Sequence, residues 1–218
     1  MTKFRTRIAP HILDKLAEAA AADHLDIFGA FHENGSTLVL LGPKEPGYWA
    51  HIKQSAEWRD GHPDPIDRWS MRTITKLADK FDATPHFPFG GAPFKPFFTW
   101  ALKSGSAWQS PVSLLVHETA GLMVSYRGAV ELHEILDIPE PAANPCQTCV
   151  SKPCETACPS QALTRAGYDL PKCHAYLDTP DGQENLRQGC NVRRSCPVSQ
   201  SYGRLTEHSA YHMSIFHK

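Results

Sequence analysis

The chain has 218 residues, enough for one compact domain with a substantial core, or for one domain and a small appendage. Hydrophobic residues at 41% and charged residues at 21% give the composition of a soluble globular protein. The formal net charge of −1 offers no electrostatic case for nucleic acid or an anionic membrane surface, and no apolar run approaches a transmembrane length.

The basic start Met1-Thr2-Lys3-Phe4-Arg5 runs into a polar helix rather than an apolar signal region, so a cytoplasmic protein is expected. His11 to Leu25 places Ile12, Leu13 and Leu16 on one helical face. Asp26 to Phe31 and Ser36 to Leu41 read as strands joined through the turn pair Asn34-Gly35. A helix follows near Tyr48 to Trp58. Asp64 to Phe81 is the clearest helix: Asp64 suits its cap, Pro65 its first position and Asp67 its first turn. Pro85 to Pro96 reads as an aromatic loop, Phe97 to Lys103 as a helix. Val112 to His117 and Leu122 to Tyr126 read as a hairpin turned through Thr119-Ala120-Gly121, with Ala129 to Leu132 continuing the sheet. Pro139 to Pro145 has the composition of an extended linker, and Ser199 to His217 reads as a terminal helix. The expected fold class is α+β: a mixed α/β domain over residues 1–138, then a small ferredoxin-like domain of helices and loops over residues 139–218.

All seven cysteines lie at or after Cys146. An odd number fits poorly with a secreted disulfide framework and better with metal or redox chemistry. One group is Cys146-x-x-Cys149-x-x-x-x-Cys154-x-x-x-Cys158-Pro159; the other is Cys173, then Cys190 and Cys196-Pro197. A four-iron cube needs four thiolates from several directions. Bacterial ferredoxins take three from one short loop and the fourth, followed by proline, from a distant run. By that crossed rule Cys146, Cys149, Cys154 and Cys196 form a complete set for one [4Fe–4S] cluster. Cys158, Cys173 and Cys190 form a second set that is one ligand short. A four-thiolate zinc site and a thioredoxin-like Cys146/Cys149 pair are the alternatives. Zinc sites usually pair two Cys-x-x-Cys units, and a redox pair leaves five cysteines unexplained.

The second half of the chain resembles the epoxyqueuosine reductase family and the wider group that includes reductive dehalogenases. The likeness lies in Ser110 to Leu132, in the cysteine block with Tyr168-Asp-Leu-Pro-Lys-Cys173, and in Gln188-Gly189-Cys190. It implies a ferredoxin-like dicluster domain behind an α/β domain that holds cobalamin, with electrons passing from clusters to cobalt to substrate. Reductases of that family carry an acidic residue where Phe89-Gly90-Gly91-Ala92-Pro93 has none, so epoxyqueuosine reduction does not carry over. Closer members place a cysteine at the position of Asn185, so the resemblance implies a second cluster that is absent, three-iron, or completed by a non-cysteine ligand, for which Asn185 and His174 are the candidates. The function expected is an iron–sulfur electron carrier, or the electron-input part of a reductase, serving a redox partner protein. A cobalamin-dependent reductase and a structural metal-binding module are the alternatives.

Arg193 and Arg194, between two candidate ligands, either raise a cluster's potential or are simply solvated. His208 and His212, one helical turn apart, read as a surface pair on the terminal helix.

Overall fold

The computed structural model describes residues 11–218, so Met1–Arg5 lie outside the described residues. The first helix, α1 (Ile12–Ala22), is followed by the expected hairpin of β1 (Leu25–Glu33) and β2 (Ser36–Pro43). Asn34 and Gly35 take left-handed backbone, with φ of 51° and 83°, as a two-residue turn matched to strand twist requires. The next predicted helix is split into α2 (Tyr48–Gln54) and α3 (Ala56–Arg59). Ser55 is the cause: its extended backbone ends α2, and its side chain accepts the Trp58 N–H to start α3. The long helix α4 spans Pro65–Lys80. Asp64 precedes it with φ of 52° and makes no side-chain cap, which corrects that expectation.

Residues read as loop around Pro85 instead form β3 (Ala83–His86). An edge position tolerates the proline, because that side of the strand needs no N–H donor. After α5 (Phe97–Lys103), β4 (Ala107–Gln109) pairs with β5 (Leu115–His117). The expected partner of β5, Leu122 to Tyr126, is irregular. It turns back at a single bridge between His117 and Gly121 and buries Leu122 and Tyr126. β6 (Gly128–Leu132) lies inside the main antiparallel sheet, ordered β1-β2-β6-β3.

That sheet is covered on both faces, which explains why β2 is buried throughout and its run Leu38–Leu41 is continuously apolar rather than alternating. Val39, Leu41, Val130 and Leu132 face α1 and α4, packing with Leu16, Trp69 and Ile74. Leu38, Leu40 and Ala129 face the other way, toward Phe97 and Trp100 of α5. Burial of each such side chain contributes about 1.5–3 kcal/mol.

The cysteine segment is built from short pieces: α6 (Pro145–Thr148), a 3₁₀ turn (Pro153–Glu155), and a two-residue hairpin of β7 (Leu163–Thr164) and β8 (Gly167–Tyr168). Then come α7 (Leu170–Leu177), α8 (Gln183–Gln188), α9 (Asn191–Ser195), α10 (Pro197–Ser201) and α11 (Thr206–Phe216). Leu163, Val192, Cys154 and Cys196 share a third core with Val112, Val116 and Leu122. The predicted terminal helix is thus two helices, and α11 returns to the first core, where Tyr211 packs. No helix among the described residues is long and apolar enough to cross a membrane.

Candidate metal centre

Cys146 opens α6, where Asn144 Oδ1 accepts its N–H at 2.9 Å, and Cys149 follows the last residue of the helix. Cys154 sits in the 3₁₀ turn and is buried. The two extra residues between Cys149 and Cys154 are absorbed by an outward loop: Val150 is 98% exposed and Lys152 turns the chain back with φ of 38°. Cys196 arrives from far along the chain, at the junction of α9 and α10, with Pro197 as the first residue of α10. All four thiols are free and line one cavity of about 510 Å³, whose apolar wall includes Val116 and Leu122. Burial pushes Cys154 up to about 11, and the neighbouring Cys146, Cys196 and Cys149 push the same way. Burial likewise raises Cys146, with Cys196 and Cys149 adding to it. Cys146 and Cys154 are thus held as neutral thiols, by burial first and by the neighbouring sulfurs second.

Of the other three cysteines, Cys158 and Cys190 pack against the same third core. Cys173, on α7, and Cys190, which precedes α9, line a second cavity of about 310 Å³. Cys158 does not line it, but its charge acts on Cys173. Burial alone would raise the Cys158 thiol; hydrogen bonds from Ser160 Oγ and from the backbone of Leu163, Ala162 and Ser160 outweigh this and lower it. Cys173 accepts the Tyr168 hydroxyl at 3.3 Å. Cys146, Cys149, Cys154 and Cys196 thus line the first cavity and Cys173 and Cys190 the second, while Cys158 lines neither.

Asn185, on α8, faces the second cavity and is 7% exposed, and its Oδ1 is buried with no hydrogen-bond partner. His174 is directed elsewhere: its Nδ1 lies 2.6 Å from His217 Nδ1 and its ring stacks on Phe216. Of the two candidates for the missing position, only Asn185 lines the cavity. Neither arginine is free in solvent. Arg193 donates to the Leu122 carbonyl and borders the second cavity; Arg194 donates to the Gly189 carbonyl at 2.9 Å and pairs with Glu184.

Four free thiols lining one cavity are the donor type that an iron–sulfur cube takes. Thiolates are its ligands, and Ser110 Oγ, buried in the wall of the first cavity without a partner, has a hydroxyl proton left to give a sulfur acceptor. No group of three or more His, Cys, Asp or Glu among the described residues is arranged to hold a metal ion. Protein-family models, curated proteins and solved structures were each compared with the chain, and none matches.

Sequence reasoning missed one group of buried polar residues. Glu45, Arg204 and His208 meet beneath α11, and His208 is buried and His212 half-buried rather than the surface pair expected. The apolar periodicity of α11 is weak because aromatic and imidazole rings, not aliphatic side chains, make its buried face: His208 stacks on Trp49 at 4.9 Å.

Proposed function

We propose that this chain is an iron–sulfur electron-transfer protein, or the electron-input component of a reductase, with one [4Fe–4S] cluster held by Cys146, Cys149, Cys154 and Cys196. The observation that carries this is the convergence of four free thiols, from two remote stretches of chain, on one largely apolar cavity. When bound, the cluster accepts and releases one electron at a time. The chain's own residues orient and insulate it: Asn144 fixes Cys146, Pro197 starts the helix that holds Cys196 in place, and Val116 and Leu122 limit water on the inner side. Ser110 supplies a hydrogen-bond donor, a device that raises a cluster's reduction potential. Cys158, Cys173 and Cys190 are a second iron–sulfur position, completed at Asn185 by an oxygen or by no protein ligand. A redox partner protein supplies or takes the electrons.

Anaerobic purification followed by iron and sulfide analysis and EPR of the reduced protein tests this. The reading requires brown protein with at least four iron and four sulfide per chain, within error, and an iron–sulfur signal on reduction. A colourless, zinc-loaded protein overturns it.

A further inference from the structure

The second cavity has a lining that thiol chemistry leaves unexplained. Besides Cys173 and Cys190, its walls include two guanidinium groups, Arg193 and Arg204, and no aspartate or glutamate. Arg193 lies on α9, and Arg204 in the turn between α10 and α11. The charge of Arg193 reaches Arg204: burial lowers Arg204 to about 10, Arg193 adds to that, and Tyr202, Glu45 and Tyr48 pull the other way. Arg204 is nonetheless charged at neutral pH. Burial, then Arg204, His208, Arg127 and Arg193, lower His212 on the same wall to about 2, so this ring adds no charge of its own.

Both arginines donate to neutral acceptors. Arg193 donates to the Leu122 carbonyl; Arg204 donates through Nε to Ser209 Oγ and through Nη1 to the Met123 carbonyl, each at 3.2 Å. Glu45, whose charge reaches Arg204, lies 3.0 Å from His208 Nδ1 and is outside the cavity lining. Two like charges thus border a poorly solvated space whose walls hold no counter-charge, an arrangement that is costly until an anion enters. Two other lining residues carry buried polar atoms without partners: Ser125 Oγ, which has a hydroxyl proton to donate, and Asn185 Oδ1, which accepts. The remaining wall is largely apolar, with Leu114, Met123, Leu163 and Phe216. At about 310 Å³ the cavity is at the small end of the range for small-molecule sites, about 300–1,000 Å³.

We infer that the second cavity binds a small organic carboxylate with an apolar body and one hydrogen-bond donor, its carboxylate held by Arg193 and Arg204 and its donor by Asn185. The planar fork of each guanidinium matches a carboxylate, and Ser125 can add a hydroxyl donor. An inorganic anion would answer the arginines but leave the apolar wall and Asn185 Oδ1 unserved. The inference requires no metal. A cluster on Cys173 and Cys190 would need the same space, so cluster and carboxylate are alternative occupants of this cavity. The cluster proposed for the other four cysteines is unaffected.

The test is calorimetric titration of the anaerobically purified protein with 4-hydroxybenzoate, with iron measured on the same sample. One site per chain is expected, with a dissociation constant below about 1 mM. 4-Hydroxybenzamide keeps the ring and the hydroxyl but lacks the charge, and should bind about ten- to a hundredfold more weakly, the worth of a charged hydrogen bond. Arg204→Gln and, separately, Arg193→Gln should weaken 4-hydroxybenzoate to a similar degree. Benzoate should bind more weakly than 4-hydroxybenzoate to wild type and equally to Asn185→Ala. The ligand comparisons use wild type alone and decide the matter even where a variant fails to fold. Equal binding of the amide, tighter binding of inorganic phosphate, or binding that survives both arginine variants overturns the inference, as does absence of binding. Absence of binding in protein with more than about four iron per chain gives the cavity to a second cluster, and leaves the iron–sulfur reading standing. Binding to protein free of iron upholds the inference and overturns the iron–sulfur reading.

Discussion

Two unpaired side-chain oxygens, Ser110 Oγ and Asn185 Oδ1, stand beside the two groups of thiols. Burying such a group without a partner costs about 1–3 kcal/mol, a cost that the proposed clusters would relieve. The two sites should separate by mutation. Cys154→Ser should abolish the complete cluster, read as a loss of about four iron per chain, whereas Cys173→Ser should leave that cluster's EPR signal in place. Asn185→Cys supplies the fourth thiolate at the second cavity, and iron and sulfide content should rise above wild type. Unchanged iron content would mean that the cavity does not lack a ligand alone. A purely structural role is plainer at Ser199, whose Oγ accepts the buried Leu122 N–H at 2.8 Å. Ser199→Ala leaves that donor unsatisfied and should destabilise the protein by about 1–3 kcal/mol in urea unfolding.

At the scale of elements, α11 and the turn before α9 meet at Gly189. Its φ is 92°, and a Cβ there would lie 2.7 Å from Ser209 Cβ. Gly189→Ala should therefore push α11 away from α8 at a cost of about 1–3 kcal/mol, measured as a lower midpoint of denaturation. It should also weaken any signal that depends on His212 facing the cavity. The sequence carried the strong local signals well. The Asn34-Gly35 turn and the proline-started helix α4 were both legible, because each rests on backbone geometry that a few residues specify. What it did not carry was set by distant partners. β3 exists because β6 offers it an edge, despite Pro85. Leu122 to Tyr126 alternates like a strand but finds no partner strand, since its neighbour there is α10. Nothing near Glu45 or His208 in the chain announces that they meet, and no local pattern encodes a contact across such a separation.

Across the whole molecule, buried histidines make the fold acid-sensitive. Burial lowers His117 from 6.5 to about 4. The unfolded chain therefore binds this proton at a pH where the native state still refuses it. The resulting stability is complete above pH 6.5 and declines as pH falls toward 4. His208 and His212, lowered further, act in the same direction. Glu45 and Asp67, raised by burial, give the opposite slope. The informative comparison is thus wild type against His117→Asn, whose amide oxygen can still accept the Thr119 and Ala120 N–H groups that His117 Nδ1 receives. The variant should be less stable at neutral pH but should lose less stability between pH 6.5 and 4.

The placement of the two cysteine sets has a consequence for assembly. Cys158, Cys173 and Cys190 all fall between Cys154 and Cys196, so one site is nested inside the loop that the other must close. Chain entropy then favours an order. Filling the inner site ties off most of the intervening chain, and a fourfold shorter effective loop lowers the cost of bringing Cys196 home by about 1 kcal/mol. On the proposed two-site reading, the inner site, the one short of a thiol, would act as a fastening for the outer one, and a chain that cannot close it must search a longer tether to complete its neighbour.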